Sequence, residues 1–521
     1  MKIFLLICLC MFVILLMGRI AYNFFKKKSL INCFDYRLNN QDDELNYEYL
    51  KKIQDPIMNQ QAIDDLELKE VFEKCDYTYS PVGKEYMYGR MFNKDNHQEL
   101  LEELIDNLEQ KDVLSSVIYA LYTLDTEYSS ALELFDKEDV LTSFDKIYLT
   151  ILMIIPFALF GLYFVIGANV FFWIFLYIVF MMANYSYYKR KTKNIMSDTL
   201  SYCYLLKCLN LLLKSGIYPK NESEKIKQMV SQAQKYTLIT RICHAIEQID
   251  VFFLMETIKG LFLIPIHQCF ILMKHKEELS QNLMSIYEYV GLVDVAVSVK
   301  TLRHNYQTCI PHLSNEPLIT CKDAYHPLLK NPVKNTFSTT ESCIITGSNA
   351  SGKSTFIKMV GINMVMANAL HTCFADEWCA YPFQLCTAIH MKDDIDSGES
   401  YFVKEIKTLK QIIDLATSKR CLVFIDEILR GTNERERVAI SKVILKTLFE
   451  SQSLVMITTH DLSIVKEFEN IQKYCFNDYV KDQQLCCDYK IKEGICQVGN
   501  AIALLDVYGY PKYMTEQLKN N

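Results

Sequence analysis

No C-x-x-C pair occurs anywhere in the 521-residue sequence, although it holds 19 cysteines. That removes the paired-ligand spacing of a structural zinc site, and the scattered cysteines read as reduced thiols of a cytosolic compartment. A long Lys/Arg run is lacking too. Net charge is −7 and the pI is near 5.9, whereas a chain living on free DNA usually carries a basic balance. The only dense basic clusters, Lys26-Lys27-Lys28 and Lys189-Arg190-Lys191, abut apolar segments and read as membrane-flanking charges. No internal repeat or low-complexity tract interrupts the chain, whose length leaves room for two to four domains.

The longest absence is of charge. Residues 147–188 contain no charged side chain, 42 positions in a row. One bilayer crossing takes about 20 apolar residues. Two crossings, 147–166 and 170–188, fit around Gly167-Ala168-Asn169 as a helical hairpin. Lys146 and Lys189-Arg190-Lys191 flank its ends, which places both ends in the cytoplasm. A first apolar stretch, residues 1–25, ends at the three lysines without a small-x-small cleavage site, so it is expected to stay as an uncleaved anchor with its N-terminus outside. Residues 251–273 are apolar but hold Glu256, Lys259, Pro265 and His267; a buried soluble helix is expected there. These readings give a multi-pass cell-membrane protein with three transmembrane helices and its C-terminal part in the cytoplasm.

The remaining chain divides by texture. Residues 26–146 are charged and helical in spacing, with Leu100, Leu101, Leu104, Leu108 and Val113 as an apolar stripe. Residues 189–318 again read helical, with Ile286, Val290, Val293, Val297 and Leu302 at short intervals. From residue 319 to 521, short β-rich runs alternate with helical stretches, the pattern of an α/β domain.

Within that domain a short apolar strand, 342–346, runs into Gly347-Ser348-Asn349-Ala350-Ser351-Gly352-Lys353-Ser354-Thr355 and then into a helical stretch. This is the full G-x-x-x-x-G-K-[ST] pattern of a phosphate-binding loop. Its glycines let backbone N–H groups curl round phosphates, and the following helix adds its positive end. Lys353 is placed to reach β- and γ-phosphates, and the Ser354 hydroxyl to ligate Mg²⁺. A second apolar strand, 420–425, ends in Asp426-Glu427. The first carboxylate suits a Mg²⁺ shell and the second an attacking water. A third strand, 454–458, leads to Thr459-His460-Asp461, where the imidazole can contact a γ-phosphate. Between them, Ser397-Gly398-Glu399-Ser400 opens an amphipathic helix with Phe402, Ile406, Leu409, Ile413 and Ala416 as its apolar stripe, a further potential anion site.

Taken in order, these segments resemble the ATPase signature of the MutS family: 346–355, then 397–402, then 426–432, then Thr459-His460. His326-Pro327 is similar to the family's entry into that domain, and Tyr287-Glu288 through Asp294 to Pro311 resembles the helix feeding it. Residues 71–92, with Val82-Gly83, resemble more weakly the start of the family's core. The resemblance implies an ABC-type α/β P-loop NTPase domain preceded by a mostly α-helical, core-like region. It also implies ATP and Mg²⁺ at a dimer interface. Asn349, Gly352, Lys353 and Ser354 would hold the nucleotide, Asp426 the metal, Glu427 the water, and His460 would sense the γ-phosphate. Ser397, Gly398 and Ser400 would reach the partner subunit's nucleotide, and double-stranded DNA would be a partner. The chain departs from the pattern at Ser348 and Ala350, where the family has Pro and Met, and at Glu399 and Tyr401, where it has Arg and Thr. A Phe-x-Glu mismatch-reading wedge occurs nowhere. Two expectations stand open: a membrane-anchored ATPase coupled to DNA, and a membrane-embedded mechanochemical ATPase with no DNA role.

Overall fold

The computed structural model describes residues 58–93, 97–125, 170–247, 263–348, 351–389, 401–429, 434–481 and 484–496, with single positions or short runs between 132 and 155 and at 260. The chain forms two compact units. One comprises residues 1–52, 77–87 and 99–298; the other comprises 53–76, 88–98 and 299–521.

The first unit is helical throughout its described residues, with long helices at Val170–Lys191, Lys193–Ser215 and Lys220–Glu247. Helix Lys276–Asn305 begins in this unit, where it buries Ile286, Val290, Val293 and Val297 completely or nearly so; the spacing read from the sequence is its core face. It is also, among the described residues, the helix long and apolar enough to cross a bilayer, and 72% of its apolar window is buried. Its buried Asp294 carboxylate accepts hydrogen bonds from the Tyr79 and Ser80 amides (both 2.8 Å) and from Ser80 Oγ (2.6 Å). Gly83 approaches so closely that a Cβ there would lie 2.1 Å from Asp294 Oδ2. The two segments that resemble the family core are thus joined through a glycine only a bare backbone could replace.

In the same unit, Tyr148 Oη donates to Asn184 Oδ1 (2.9 Å), Tyr177 Oη to the Leu152 carbonyl (2.7 Å) and Tyr188 Oη to Asp145 Oδ1 (2.7 Å). As one residue number rises the other falls, so the 145–152 stretch runs antiparallel to helix Val170–Lys191. That helix exposes Phe172 (64%), Trp173 (54%) and Phe175 (63%). Most of the span 153–169 and residues 1–25 lie outside the described residues, as does most of the 251–263 part of the apolar stretch expected to be a buried helix. Its remainder is helix Ile264–Lys274, where Ile266, Cys269 and Leu272 are buried.

The second unit is mixed α/β. It starts with α1 (Gln60–Asp65) and α2 (Leu68–Cys75), and a four-stranded sheet follows in the order β1-β5-β2-β3: β1 (His312–Leu313), β2 (Ile319–Ala324), β3 (Asn335–Thr339) and β5 (Glu377–Ala380). The main sheet has the order β10-β9-β4-β8-β7-β6: β4 (Cys343–Thr346), β6 (Gln384–Ala388), β7 (Cys421–Asp426), β8 (Leu454–Thr459), β9 (Gln472–Lys481) and β10 (Gln484–Glu493). Its strands are parallel except β10. Every residue of β4, β7 and β8 is buried, as expected of a parallel sheet covered on both faces. One face carries α3 (Lys353–Leu370). The other packs Ile344, Val423, Ile425, Val455 and Ile457 against α4 (Tyr401–Ser418), α5 (Glu434–Phe449) and α6 (Leu462–Glu467). In the main sheet, Cys343, Cys386 and Cys421 are buried and form no disulfide.

Candidate functional site

The carboxyl ends of β4, β7 and β8 lie side by side, the edge of a parallel sheet where ligands bind. The loop after β4 turns into α3 through Gly352, whose φ of +102° only glycine adopts without strain. Lys353 is 4% exposed and its ammonium donates to the carbonyls of Gly347 (2.8 Å) and Ser348 (2.6 Å). A phosphate is a stronger partner for an ammonium than a carbonyl is. Ser351 Oγ is buried with no hydrogen-bond partner. A buried charge on carbonyls and an unpartnered hydroxyl in one loop fit a polyphosphate.

Ser354, on the first turn of α3, donates from Oγ to Asp426 Oδ2 at 2.7 Å. Thr458 Oγ1 bonds the other oxygen of the same carboxylate. The cause is register: Asp426 on β7 pairs with Thr458 on β8. A hydroxyl and a carboxylate in contact at the end of a phosphate-binding loop are an oxygen donor set of the kind Mg²⁺ takes.

One residue further, Glu427 is held at φ +54°, with its amide donating to the Thr458 carbonyl (3.0 Å). Its side chain is 8% exposed, and Oε1 lies 3.0 Å from Nδ1 of His460, which is half exposed. Asp461 caps α6 by accepting from the Ser463 amide and pairs with Arg437 at 2.8 Å. Burial raises its pKa, but the Ser463 and Arg437 hydrogen bonds outweigh that and hold the carboxyl below its ordinary value.

The structure therefore brings together Gly347, Ser348, Ser351, Gly352, Lys353, Ser354, Asp426, Glu427 and His460. Thr355 follows on α3 and is exposed. Asn349, Ala350, Ser397, Gly398 and Ser400 lie outside the described residues. Two further residues were not foreseen. Glu405 on α4 is buried, and its Oε1 accepts from the Leu429 amide at 2.6 Å. Leu429 has a φ of +58°, so this carboxylate braces the turn that carries Glu427. The other is Tyr489 on β10, whose ring flanks the loop: a Cβ on Gly352 would sit 3.1 Å from its Cδ1. Asn335 fixes that part of the strand, donating to the Tyr489 carbonyl (3.0 Å) and accepting from the Ile491 amide (2.9 Å).

Of the stripe expected on α4, Phe402 and Ile413 are partly buried against the core of the sheet. Leu409 and Ala416 are buried as expected, but Ile406 is 37% exposed while Ile412 is fully buried. The inward face follows Glu405, Thr408, Leu409, Ile412 and Ala416, because the Glu405 contact turns the first helical turn toward Leu429.

Residues 343–521 match the MutS domain V family. MutS protein homolog 4 of Mus musculus is 34% identical over 156 residues, 28% of this chain and 16% of that protein. The Homo sapiens protein of the same name is 29% identical over 201 residues, 35% of this chain and 21% of its own. The DNA mismatch repair protein MutS of Bacillus mycoides (strain KBAB4) is 26% identical over 254 residues, 46% of this chain and 28% of its own length. The chain thus spans less than a third of each of these relatives. Residues 343–521, which carry the phosphate-binding loop and paired carboxylates of the site above, are thus similar to domain V of the MutS family.

Proposed function

We propose that this chain is a membrane-anchored, ABC-type P-loop ATPase that binds and hydrolyses ATP. The observation that carries the reading is the convergence of Ser354, Asp426, Glu427 and His460 beside the Lys353 loop at one sheet edge. Lys353 binds the terminal phosphates. Ser354 and Asp426 would hold Mg²⁺, which would supply charge neutralisation on the phosphates. Glu427, aimed by His460, takes the proton of the attacking water, and His460 contacts the γ-phosphate. In a homodimer formed through the ATPase domains, Ser397, Gly398 and Ser400 complete the partner's site. Coupling to double-stranded DNA is supported by the name of the Bacillus mycoides relative, a DNA mismatch repair protein.

A second reading keeps the ATPase and the membrane but drops DNA: dimer closure moves the transmembrane hairpin. It draws on the uncharged stretch 147–188 and on the exposed aromatic flank of helix Val170–Lys191, which lies antiparallel to the 145–152 stretch. Both readings place the anchor at 1–25, three crossings in the cell membrane and the ATPase in the cytoplasm.

The test is phosphate release by the detergent-solubilised protein, with and without homoduplex, mismatched and branched DNA at stated salt. DNA that changes the rate, with binding that fades steeply as salt rises, supports the first reading. A rate that no DNA alters supports the second. Wild-type protein that releases no phosphate rejects both.

A further inference from the structure

The stretch linking α1 to α2 packs within the same unit as the nucleotide site, although some 290 residues separate the two in sequence. Three consecutive residues make three separate contacts there. The buried Asp65 carboxylate accepts from the Ile389 amide at 2.8 Å, just past β6 and beside the end of β7 in register. Fully buried Leu66 enters a notch on α3: a Cβ added to Gly361 would lie 2.8 Å from Leu66 Cδ2 and 3.1 Å from Phe424 Cε2. Glu67 pairs with Lys358 at 2.6 Å, one and a half turns along α3 from Lys353.

Each contact is one that the physics makes hard to relax. Lys358 is only 9% exposed, and a buried ammonium without its carboxylate is strongly disfavoured. Gly361 sits in a helix interior, where glycine is intrinsically poor and needs a packing reason. Glu67 holds a φ of +52°, a strained conformation for a side-chain-bearing residue that persists only when its surroundings fix it. Upstream, Asn59 continues the grip: its Nδ2 donates to the Thr387 carbonyl and its Oδ1 accepts from the Thr387 amide, both at 3.2 Å.

We propose that Asp65-Leu66-Glu67 is a positioning wedge for the nucleotide site. It sets where α3, and with it Lys353 and Ser354, stands relative to the strand ends that carry Asp426 and Glu427. The three residues act through α3 and β6. The inference rests on the proposed ATPase reading, and its test separates the two.

The full-length protein is compared as wild type, Glu67→Gln, Glu67→Lys, Lys358→Glu and the double reversal Glu67→Lys/Lys358→Glu, and as Gly361→Ala with and without Leu66→Val. Turnover and KM for ATP are measured, together with amide hydrogen exchange over 347–361 without nucleotide. Misplacing reacting groups by a fraction of an ångström lowers turnover more than binding, so Glu67→Lys and Gly361→Ala should lose about tenfold in kcat with KM nearly unchanged. Exchange across the loop should rise in both, and Glu67→Gln should fall between them and wild type. Each compensating double mutant should recover kcat and protection together, a coupling that a general loss of stability would not give. Doubles no better than their singles, or singles that match wild type in kcat and exchange, overturn the wedge. Should wild type hydrolyse no ATP, the ATPase reading falls, and the exchange data still decide the wedge.

Discussion

His460 Nδ1 stands 3.0 Å from Glu427 Oε1, across two neighbouring parallel strands. The contact follows from register. With Asp426 opposite Thr458, the next residue on β7 faces the turn after β8, where the imidazole projects. Glu427 is buried, yet its neighbour is half exposed, so His460 reaches the carboxylate from the solvent side.

The first prediction follows from that geometry. Glu427→Gln keeps the shape and the hydrogen bond to His460 but cannot accept a proton. It should bind ATP as wild type does and release phosphate at least about 100-fold more slowly, the scale of a lost general base. His460→Ala leaves the carboxylate in place but unaimed, so a smaller loss, about tenfold, is expected. Phosphate release and nucleotide affinity, measured on the same preparations, check both. A Glu427→Gln protein with wild-type turnover would remove Glu427 from the base role.

The second concerns Glu405, which holds the Leu429 amide in the turn after Glu427. Glu405→Ala leaves a buried N–H without its acceptor, a loss of about 1–3 kcal/mol. It should lower thermal stability and reduce turnover, because two residues of that turn sit at positive φ and relax once the brace is gone. Glu405→Gln still offers an acceptor oxygen and should restore most of both. Equal defects in the two variants would mean that the charge, not the hydrogen bond, is what the turn requires.

Much of this site was legible because its parts are contiguous motifs. Gly347 to Ser354, Asp426-Glu427 and Thr459-His460 each sit at a strand end, and a parallel sheet gathers its strand ends at one edge. Glu405 was not legible, since a single acidic residue on an amphipathic helix reads as part of the solvated face. Its inward turn also explains why Ile406, counted in the apolar stripe, is partly exposed. The Asp65–Ile389 and Glu67–Lys358 contacts were invisible for another reason: each pairs residues about 300 positions apart, and no local periodicity encodes that. Gly361, a glycine in the interior of α3, is the local feature of the sequence that goes with the Leu66 contact.

The last prediction concerns pH. His326, in the His-Pro entry to the domain, is 7% exposed, and its Nδ1 accepts from the Leu328 amide at 3.3 Å. Burial pushes its pKa down from 6.5 to about 4; nearby Glu67 pulls it up, and Lys358 and Lys74 push it down further. In the unfolded chain the imidazole takes a proton near pH 6.5, while in the folded protein it stays neutral to about pH 4. Between those values the unfolded state binds more protons, so this group's contribution to stability is complete above the upper value and declines as pH falls below it. From about pH 7 to about pH 5 the loss comes to about 2 kcal/mol. His326→Gln removes the titration, so the stability difference between wild type and variant should shrink by that amount over the same interval. Chemical denaturation at the two pH values measures it. A difference that does not change with pH would mean that the imidazole titrates alike in both states, and that the charged form is accommodated beside Glu67 after all.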